Sequence, residues 1–428
     1  MRLLLILLGI SCMPSIALSQ ETNYDESKVP DFELPPVLTT QDQQPVKDVS
    51  TWESVRRPEI LTIFENQMFG TVPDTKVKVR FDVIKNIENA IEGVADLKEV
   101  DMNFSSKRGR HSARMLLLLP ANSSGPVPVF LGLNFYGNHT IHPSEHISIT
   151  ESWARNNEAF MVENNQLDER SRGIRASRWP VEYILGQGYG LAVIYYGDLD
   201  PDYDDGFQNG LHPLFYQKGQ TKPAEEEWGS IGIWAWGFSR ALDYLKSDQN
   251  VDGENVIVFG HSRLGKTSLW AGAQDERFAG VISNNSGCGG AALSKRKFGE
   301  TIGVINNAFP HWFNDYFNRF NNNEEELAFD QHMLISLMAP RPVYIASAVE
   351  DRWADPYGEY LSGLYAGPVY ELYNKNSYTS EKSPDLNQSR MTEGVSYHIR
   401  SGKHDVTLYD WEQYILWADK YVATKADR

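Results

Sequence analysis

Residues 255–290, NVIVFGHSRLGKTSLWAGAQDERFAGVISNNSGCGG, contain the stretch that decides the fold. The β-branched and aromatic run that ends at Gly260 predicts a buried strand, and a helix-forming segment follows Gly265. Ser262 lies at the corner between the two. A sharp turn from strand to helix can expose a serine above the sheet, with its hydroxyl at the positive end of the helix. The stretch therefore predicts either this catalytic turn, a nucleophile elbow, or a serine that only caps the helix.

The glycine spacing around this serine matches a nucleophile elbow incompletely. Gly260 lies two residues before Ser262, where a small residue lets the strand and helix backbones approach closely. The usual pattern has a second glycine two residues after the serine, but Leu264 occupies that place and Gly265 comes one residue later. The motif alone does not decide between catalysis and helix capping.

The rest of the chain alternates strand-like and helix-like segments. A helical pattern at 226–248 carries tryptophans that we expect in the core, and it leads into the strand before Ser262. This alternation predicts an α/β protein with a mostly parallel sheet covered by helices on both faces. The short β-rich runs lie at 114–120, 127–135, 190–197, 255–260, 341–348 and 395–402.

A catalytic serine needs a histidine to take its proton and a carboxylate to orient that histidine. In this type of fold the three follow in the order serine, acid, histidine, from loops at one sheet edge. Glu350 and Asp351 come just after the strand at 341–348, and His404 follows the last strand, so order and place both fit. We expect structural roles for the other candidate histidines, His261, His332 and His398.

Arg263 follows the candidate nucleophile directly. The backbone N–H at this position normally donates to the oxyanion that forms during acyl transfer. The guanidinium could add charge-assisted hydrogen bonds, or it could form a salt bridge with a surface carboxylate. The sequence by itself leaves both roles open.

The first residues predict export. A basic second residue, an apolar run and small residues near Ser19 indicate a signal peptide over 1–19, with a membrane anchor or lipid attachment at Cys12 as weaker alternatives. We expect a secreted or periplasmic protein without a membrane span. Residues 20–428 should form one catalytic domain with insertions, preceded by an extended, proline-rich segment. The acidic, Asn-rich stretch 317–330 predicts a solvated loop.

Charge and cysteine content exclude several classes of protein. The formal net charge of −17 disfavours binding to nucleic acid or to anionic membranes. Once Cys12 leaves with the signal peptide, Cys288 has no partner for an intramolecular disulfide and no cysteine metal site can form. An ordinary secreted enzyme, acting as a monomer, fits these features best.

Together the motifs resemble those of the bacterial glucuronoyl esterases, a carbohydrate esterase family with the α/β-hydrolase fold. The resemblance covers nearly the whole mature chain in order. It is carried by the segments at 24–38, 56–70, 260–278, 283–301, 339–361 and 397–411.

The resemblance implies a role for each matching residue. Ser262 would be the nucleophile, His404 the general base and Arg263 the residue that stabilises the oxyanion. The sugar contacts would be Lys266, Glu300 and Trp353, with Arg296 and Trp312 assigned less firmly.

The sequence departs from the family pattern at one catalytic position. Many members carry the catalytic glutamate directly before a Ser-Gly pair, where this chain has Asn285, and an amide cannot serve as the anion. The acid would then lie on the loop after the later strand, as in related members. We predict Asp351, with Glu350 as the alternative and Asp355 as structural.

The resemblance also implies a reaction. The enzyme would hydrolyse esters of glucuronic or 4-O-methyl-glucuronic acid that join glucuronoxylan to lignin alcohols, by serine-esterase chemistry that needs no metal or organic cofactor. An acetyl-xylan or other carbohydrate esterase with the same triad remains an alternative. So does a carbohydrate-binding relative without activity, because of Asn285.

Overall fold

The computed structural model describes residues 22–121 and 123–423, so the predicted signal peptide over 1–19 and Cys12 lie outside the described residues. Within these ranges ten strands form one sheet. The strands are β1 (Lys78–Ile91), β2 (Ala95–Ser106), β3 (Gly109–Pro120), β4 (Val127–Asn134), β5 (Gly190–Tyr195), β6 (Val251–His261), β7 (Gly280–Asn284), β8 (Val343–Ala348), β9 (Gln388–Arg390) and β10 (Val395–Arg400).

The strand order in the sheet is β1-β2-β3-β5-β4-β6-β7-β8-β10-β9. In this order, the six adjacent strands β5, β4, β6, β7, β8 and β10 run parallel to one another. At the two edges of the sheet, β1, β2, β3 and β9 pair antiparallel with their neighbours. The parallel centre is the part that the alternating sequence pattern predicts, and that prediction is confirmed. All carboxyl ends of the parallel strands therefore meet at one edge, where ligand sites form in open α/β sheets.

Helices pack on both faces of the sheet. One face buries side chains of the long central helices, including Trp234 and Trp270, and the other buries Trp411 and Tyr414. No helix in the described ranges is long and apolar enough to cross a membrane. The α-helices are α1 (Val49–Thr51), α2 (Arg57–Phe64), α3 (Val181–Gly186), α4 (Ser230–Leu245), α5 (Arg263–Gln274), α6 (Ile302–Ala308), α7 (Gln331–Ser336), α8 (Pro356–Leu372) and α9 (Leu408–Tyr421).

The strand β6 shows why this sequence forms a central strand. Val256 and Val258 belong to the core on one face of the sheet, and Ile257 and Phe259 belong to the core on the other. Side chains alternate across a strand, so a continuous apolar run is what a strand covered on both faces requires. The burial of both faces fixes β6 firmly at the point where the chain turns at Ser262.

The N-terminal segment crosses the surface in mostly extended form, as its prolines predict, with one short 3₁₀ turn at Glu26–Lys28. It is held by side chains of the body. The buried Arg56 donates to the backbone oxygens of Pro36 and Val37, and His332 hydrogen-bonds the backbone oxygen of Pro35. His332 is therefore structural, as the sequence indicates.

The prediction of a solvated loop at 317–330 holds only in part, because Glu325, Glu326 and the residues at 318–319 and 322–323 are exposed. The stretch contains 3₁₀ turns, and Phe317, Phe329, Glu324 and Asp330 are all buried. Its apolar residues pack into the core, and of its acidic residues only Glu324 and Asp330 are buried with them. Asp330 accepts hydrogen bonds from the backbone N–H groups of Ser294 and Lys295, so its burial is compensated.

Candidate active site

Ser262 has the backbone geometry of a nucleophile elbow. Its φ of 59° and ψ of −131° are strained for a residue with a side chain, and helix α5 begins at the next residue. The Ser262 N–H donates to the backbone oxygen of Asn284 in the neighbouring strand, at 2.9 Å. A Cβ on Gly260 would lie 1.8 Å from the backbone oxygen of Leu264, so only glycine fits there. The side chain of Ser262 caps no N–H group of α5, which removes the capping alternative.

Asp351, not Glu350, lies beside His404. The Oδ2 atom of Asp351 is 2.6 Å from Nδ1 of His404 and also accepts a hydrogen bond of 2.8 Å from the side-chain amide of Asn285. Glu350 is exposed, and only its backbone N–H bonds to this region, to the oxygen of Gly402. The geometry thus separates the two acids that the sequence left open.

The surroundings of Asp351 favour its ionised form. Burial alone would raise the pKa of this carboxyl, but the hydrogen bond and charge of His404, with the amide of Asn285, bring its pKa below the ordinary value. A carboxylate in this place fixes the tautomer of His404 and leaves Nε2 as the proton acceptor. Asn285 is therefore a hydrogen-bond donor to the acid.

His261 lies next to His404, and their ring centroids are 4.5 Å apart. Burial and the nearby His404 hold the pKa of His261 well below its ordinary value, so this ring stays neutral. Its Nδ1 atom bonds to Asn284, and that amide donates to Tyr414 and Asp410. His261 packs against the ring of His404, which agrees with the structural role expected from the sequence.

The guanidinium of Arg263 forms an ion pair with the buried Asp202. It also lies over the ring of Trp312, 4.7 Å from the ring centroid. The ion pair that the sequence left open as an alternative is thus present, but with a buried carboxylate rather than a surface one. Arg263 still lines the cavity at Ser262, so the ion pair and a role at the oxyanion are compatible.

One cavity of about 350 Å³ joins the candidate catalytic residues to most of the predicted sugar contacts. Lys266 is buried at its base, donates to the backbone oxygen of Ser286 at 2.5 Å and lies 3.9 Å from Glu300. Trp353 is 41% exposed at the rim. The lining residues are Ser262, Arg263, Lys266, Asn285, Ser286, Gly287, Glu300, Phe309, Trp312, Asp351, Trp353, Ala354 and His404.

Burial shifts the pKa of both charged side chains at the base of this cavity, Lys266 and Glu300. It lowers the pKa of Lys266 and raises the pKa of Glu300, and in each case the opposite charge of the other residue works against the shift. The two groups offer a donor and an acceptor side by side in a place with little water. Such a pair suits the hydroxyl groups of a sugar, which donate and accept at once.

The structure does not bring Arg296 to this cavity, which corrects the expectation of a sugar contact. Its guanidinium is buried and bonds to Asp355 and to Glu26 of the N-terminal segment. Asp355 in turn accepts from the N–H of Gly358 at the start of α8. Arg296 and Asp355 therefore tie the N-terminal segment and α8 together, and Asp355 is structural as expected.

The sequence did not select every residue of the site: Ser286, Gly287, Phe309 and Ala354 of the cavity lining were missed, and so was Asp202 behind it. Phe309 stacks on Trp312 with the ring centroids 3.7 Å apart, and Asp202 binds Arg263. Asp202 follows the carboxyl end of β5, and this position at the strand end was the one available signal. Phe309 gave no comparable signal, because an apolar residue at the end of a short helix is typical of a core position, although it lies only three residues before Trp312.

Comparisons with known proteins identify the family of this chain. A family model described as glucuronyl esterase of fungi matches residues 191–374. A curated protein from an unknown prokaryotic organism, Carbohydrate esterase MZ0003, is 47% identical over 405 residues, which is 95% of this chain and 93% of that protein.

Two solved structures are similar over nearly their whole length. A promiscuous CE15 esterase from a marine bacterial metagenome has a TM-score of 0.87 and 47% identity, covering 93% of this chain and 99% of that one. The glucuronoyl esterase from Solibacter usitatus also has a TM-score of 0.87, with 46% identity over 92% of this chain and 99% of that one. The predicted α/β-hydrolase fold is confirmed. The chain belongs to the CE15 glucuronoyl esterases and is a carboxylic ester hydrolase.

Proposed function

We propose that this chain hydrolyses esters of glucuronic or 4-O-methyl-glucuronic acid, with Ser262 as nucleophile, His404 as general base and Asp351 as the acid of the triad. One observation carries the proposal. A single cavity holds these three residues together with the buried Lys266 and Glu300 and the exposed ring of Trp353. An ester bound there would meet the nucleophile while its sugar occupies the polar base.

The first half of the reaction forms an acyl-enzyme. Oγ of Ser262 attacks the ester carbonyl as His404 takes the hydroxyl proton, and the imidazolium is stabilised by Asp351. His404 then donates this proton to the departing alcohol. In the second half, water gives a proton to His404, attacks the same carbonyl carbon and releases the uronic acid with a proton returned to Ser262.

The negative charge on the carbonyl oxygen would be stabilised by Arg263. Its backbone N–H belongs to the first turn of α5, where N–H groups lack partners within the helix and the dipole favours an anion. Its guanidinium faces the same cavity and supplies a positive charge. Both donors are held in place before the substrate binds, as effective oxyanion stabilisation requires.

The sugar would be held by hydrogen bonds at the base and by an aromatic face at the rim. One of the three N–H groups of Lys266 is used by Ser286, which leaves donors for sugar hydroxyls. Glu300 supplies acceptors beside it. Trp353 is exposed enough to cover one face of a sugar ring.

The experiment that tests this function compares two esters. We expect the purified enzyme to cleave benzyl glucuronate with a kcat/KM at least about tenfold above that for 4-nitrophenyl acetate, although the second alcohol leaves more easily. The difference of about 1.4 kcal/mol would come from sugar contacts realised in the transition state. Faster cleavage of the acetyl ester would favour the alternative, an acetyl-xylan or other carbohydrate esterase.

Lys266 and Trp353 should act on the acid part of the substrate and not on the alcohol. Replacing either with alanine should lower kcat/KM by a similar factor, about tenfold or more, for methyl, allyl and benzyl glucuronates. Lys295→Ala is the matched control, because this buried lysine bonds to the backbone oxygen of Glu325 outside the cavity. Losses that grew from the methyl to the benzyl ester would place the mutated residue on the alcohol side.

We further propose that the natural substrate is an ester between a glucuronoxylan branch and a lignin alcohol, and that the protein is exported as a monomer after cleavage near Ser19. The glucuronoyl esterase family supports the substrate, and the apolar N-terminal run supports export. N-terminal sequencing of protein recovered from the periplasm or the medium should begin at about residue 20. An intact N-terminus in the membrane fraction would contradict export by a cleaved signal.

A further inference from the structure

Asp202 accepts hydrogen bonds on both of its carboxylate oxygens. Oδ2 accepts from the hydroxyl of Tyr196 at 3.0 Å and from the guanidinium of Arg263. Oδ1 bonds to Nε2 of His311 at 2.9 Å and accepts from Nε1 of Trp312 at 2.7 Å. The side chain is only 3% exposed. Every donor thus comes from the protein, and the carboxylate has one fixed orientation.

Two of these four donors line the cavity at Ser262, whereas Asp202 itself does not. Arg263 would stabilise the oxyanion, and Trp312 stands beside Lys266, whose Nζ lies 5.9 Å from its ring centroid. The carboxylate can therefore influence the reaction only through Arg263 and Trp312. It connects the oxyanion end of the cavity to its sugar end.

The neighbours of Arg263 explain why it needs such an anchor. Its guanidinium lies among three rings, at 4.7 Å from Trp312, 5.3 Å from Phe309 and 5.7 Å from Phe135. Aromatic faces attract a guanidinium but impose little direction on its N–H groups. A carboxylate hydrogen bond is directional, so Asp202 determines which N–H groups remain turned toward the cavity.

We propose that Asp202 is a positioning residue that holds the Arg263 guanidinium in the orientation where it stabilises the oxyanion, and that holds the Trp312 ring against the sugar. This inference rests on the proposed function. A carboxylate is required because an amide has one acceptor oxygen and could not serve Arg263 on one side and His311 and Trp312 on the other.

In Asp202→Asn, the loss of the negative charge and the loss of the fixed orientation of Arg263 should change kcat in opposite directions. Removal of a negative charge makes the cavity more positive, which by charge alone favours an oxyanion and should raise the rate. Loss of the fixed orientation of Arg263 should lower it. The sign of the change in kcat therefore separates the two effects.

The experiment measures Asp202→Asn on 4-nitrophenyl acetate and on benzyl glucuronate, with kcat counted per chain that reacts with a phosphonate at Ser262. We expect kcat on both esters to fall about 10- to 100-fold, somewhat less than the 10²- to 10³-fold typical when an oxyanion donor is removed. KM for the acetate, which has no sugar, should stay within about twofold. KM for the glucuronate should rise, because Trp312 loses its acceptor.

A double variant shows whether Asp202 acts through Arg263. Once Arg263→Met has removed the guanidinium, adding Asp202→Asn should lower kcat on 4-nitrophenyl acetate by no more than about twofold. Losses that multiply would contradict the proposal. Asp200→Asn is the matched control, because that buried carboxylate two residues earlier bonds to His212 and Ser230 away from the cavity, and its kcat should be unchanged.

A second variant and the acetate substrate allow the proposal to be tested even if Asp202→Asn does not fold or the parent enzyme cleaves glucuronate esters weakly. If Asp202→Asn does not fold, Tyr196→Phe removes the hydroxyl that shares Oδ2 with Arg263, and kcat on the acetate should fall about threefold with the chain still folded. The acetate also separates this proposal from the proposed function, because weak glucuronate cleavage by the parent enzyme would reject the substrate and leave the Asp202 test intact. A kcat for Asp202→Asn equal to or above that of the parent would overturn the proposal.

Discussion

Ser262→Ala is expected to lower ester hydrolysis by at least about 10⁴-fold in a protein that remains folded. The substitution removes the atom that forms the acyl-enzyme, and loss of the nucleophile in a serine triad costs about as much as loss of the whole triad. The measurement is kcat on benzyl glucuronate, with the thermal unfolding temperature as the check on folding. The side chain of Ser262 caps no helix N–H group, so we expect little change in stability.

Ser268→Ala provides the control for the nucleophile. Ser268 is a buried serine of helix α5, which begins directly after Ser262, and its hydroxyl donates to the backbone oxygens of Gly265 and Ile282 without reaching the cavity. Its replacement should cost stability but leave kcat within about threefold of the parent, or about 0.7 kcal/mol of activation free energy. Turnover near the parent value in a folded Ser262→Ala protein would remove Ser262 from the mechanism.

Asp351→Asn has the second largest expected effect, a loss of up to about 10⁴-fold in kcat. The amide keeps the size of the side chain but removes the charge that stabilises the imidazolium of His404. It also disturbs the tautomer of His404, because the amide can present an N–H group where Oδ2 now accepts. Turnover of benzyl glucuronate is measured for Asp351→Asn, for Glu350→Gln and for both together.

The neighbours of Asp351 should respond in a defined order. Asn285→Ala removes one neutral donor to the acid and should cost far less than Asp351→Asn, about tenfold at most. Glu350→Gln should leave kcat nearly unchanged, because Glu350 is exposed and does not line the cavity. If Asp351→Asn stayed within about threefold of the parent while Glu350→Gln lost activity, Glu350 would be the acid.

The elbow could be predicted because local and long-range signals agree there. A strand covered on both faces needs the continuous apolar run of β6, and only glycine fits at Gly260. Acid and histidine follow the ends of β8 and β10, where parallel strands bring their loops together. The choice between Glu350 and Asp351 could not be made from chain order, because adjacent residues in a turn point in different directions.

Other features depend on tertiary contacts that sequence order does not reveal. Arg296 lies in a segment similar to the family pattern, yet Glu26 and Asp355, both distant along the chain, bind its guanidinium. Asp202 was missed for the same reason, since its partner Arg263 lies on a different strand-to-helix connection. The stretch 317–330 looked solvated by composition, but its phenylalanines are buried, so only part of it is exposed.

The central claim is that hydrolysis of glucuronate esters takes place at Ser262. The most direct test labels the enzyme stepwise with a phosphonate, measures remaining activity on benzyl glucuronate and locates the label by peptide mass spectrometry. We predict that activity falls in proportion to the labelled fraction of the Ser262 peptide and reaches zero at one label per chain. Full labelling of Ser262 with glucuronate hydrolysis intact, or loss of activity with the label on another residue, would contradict the account.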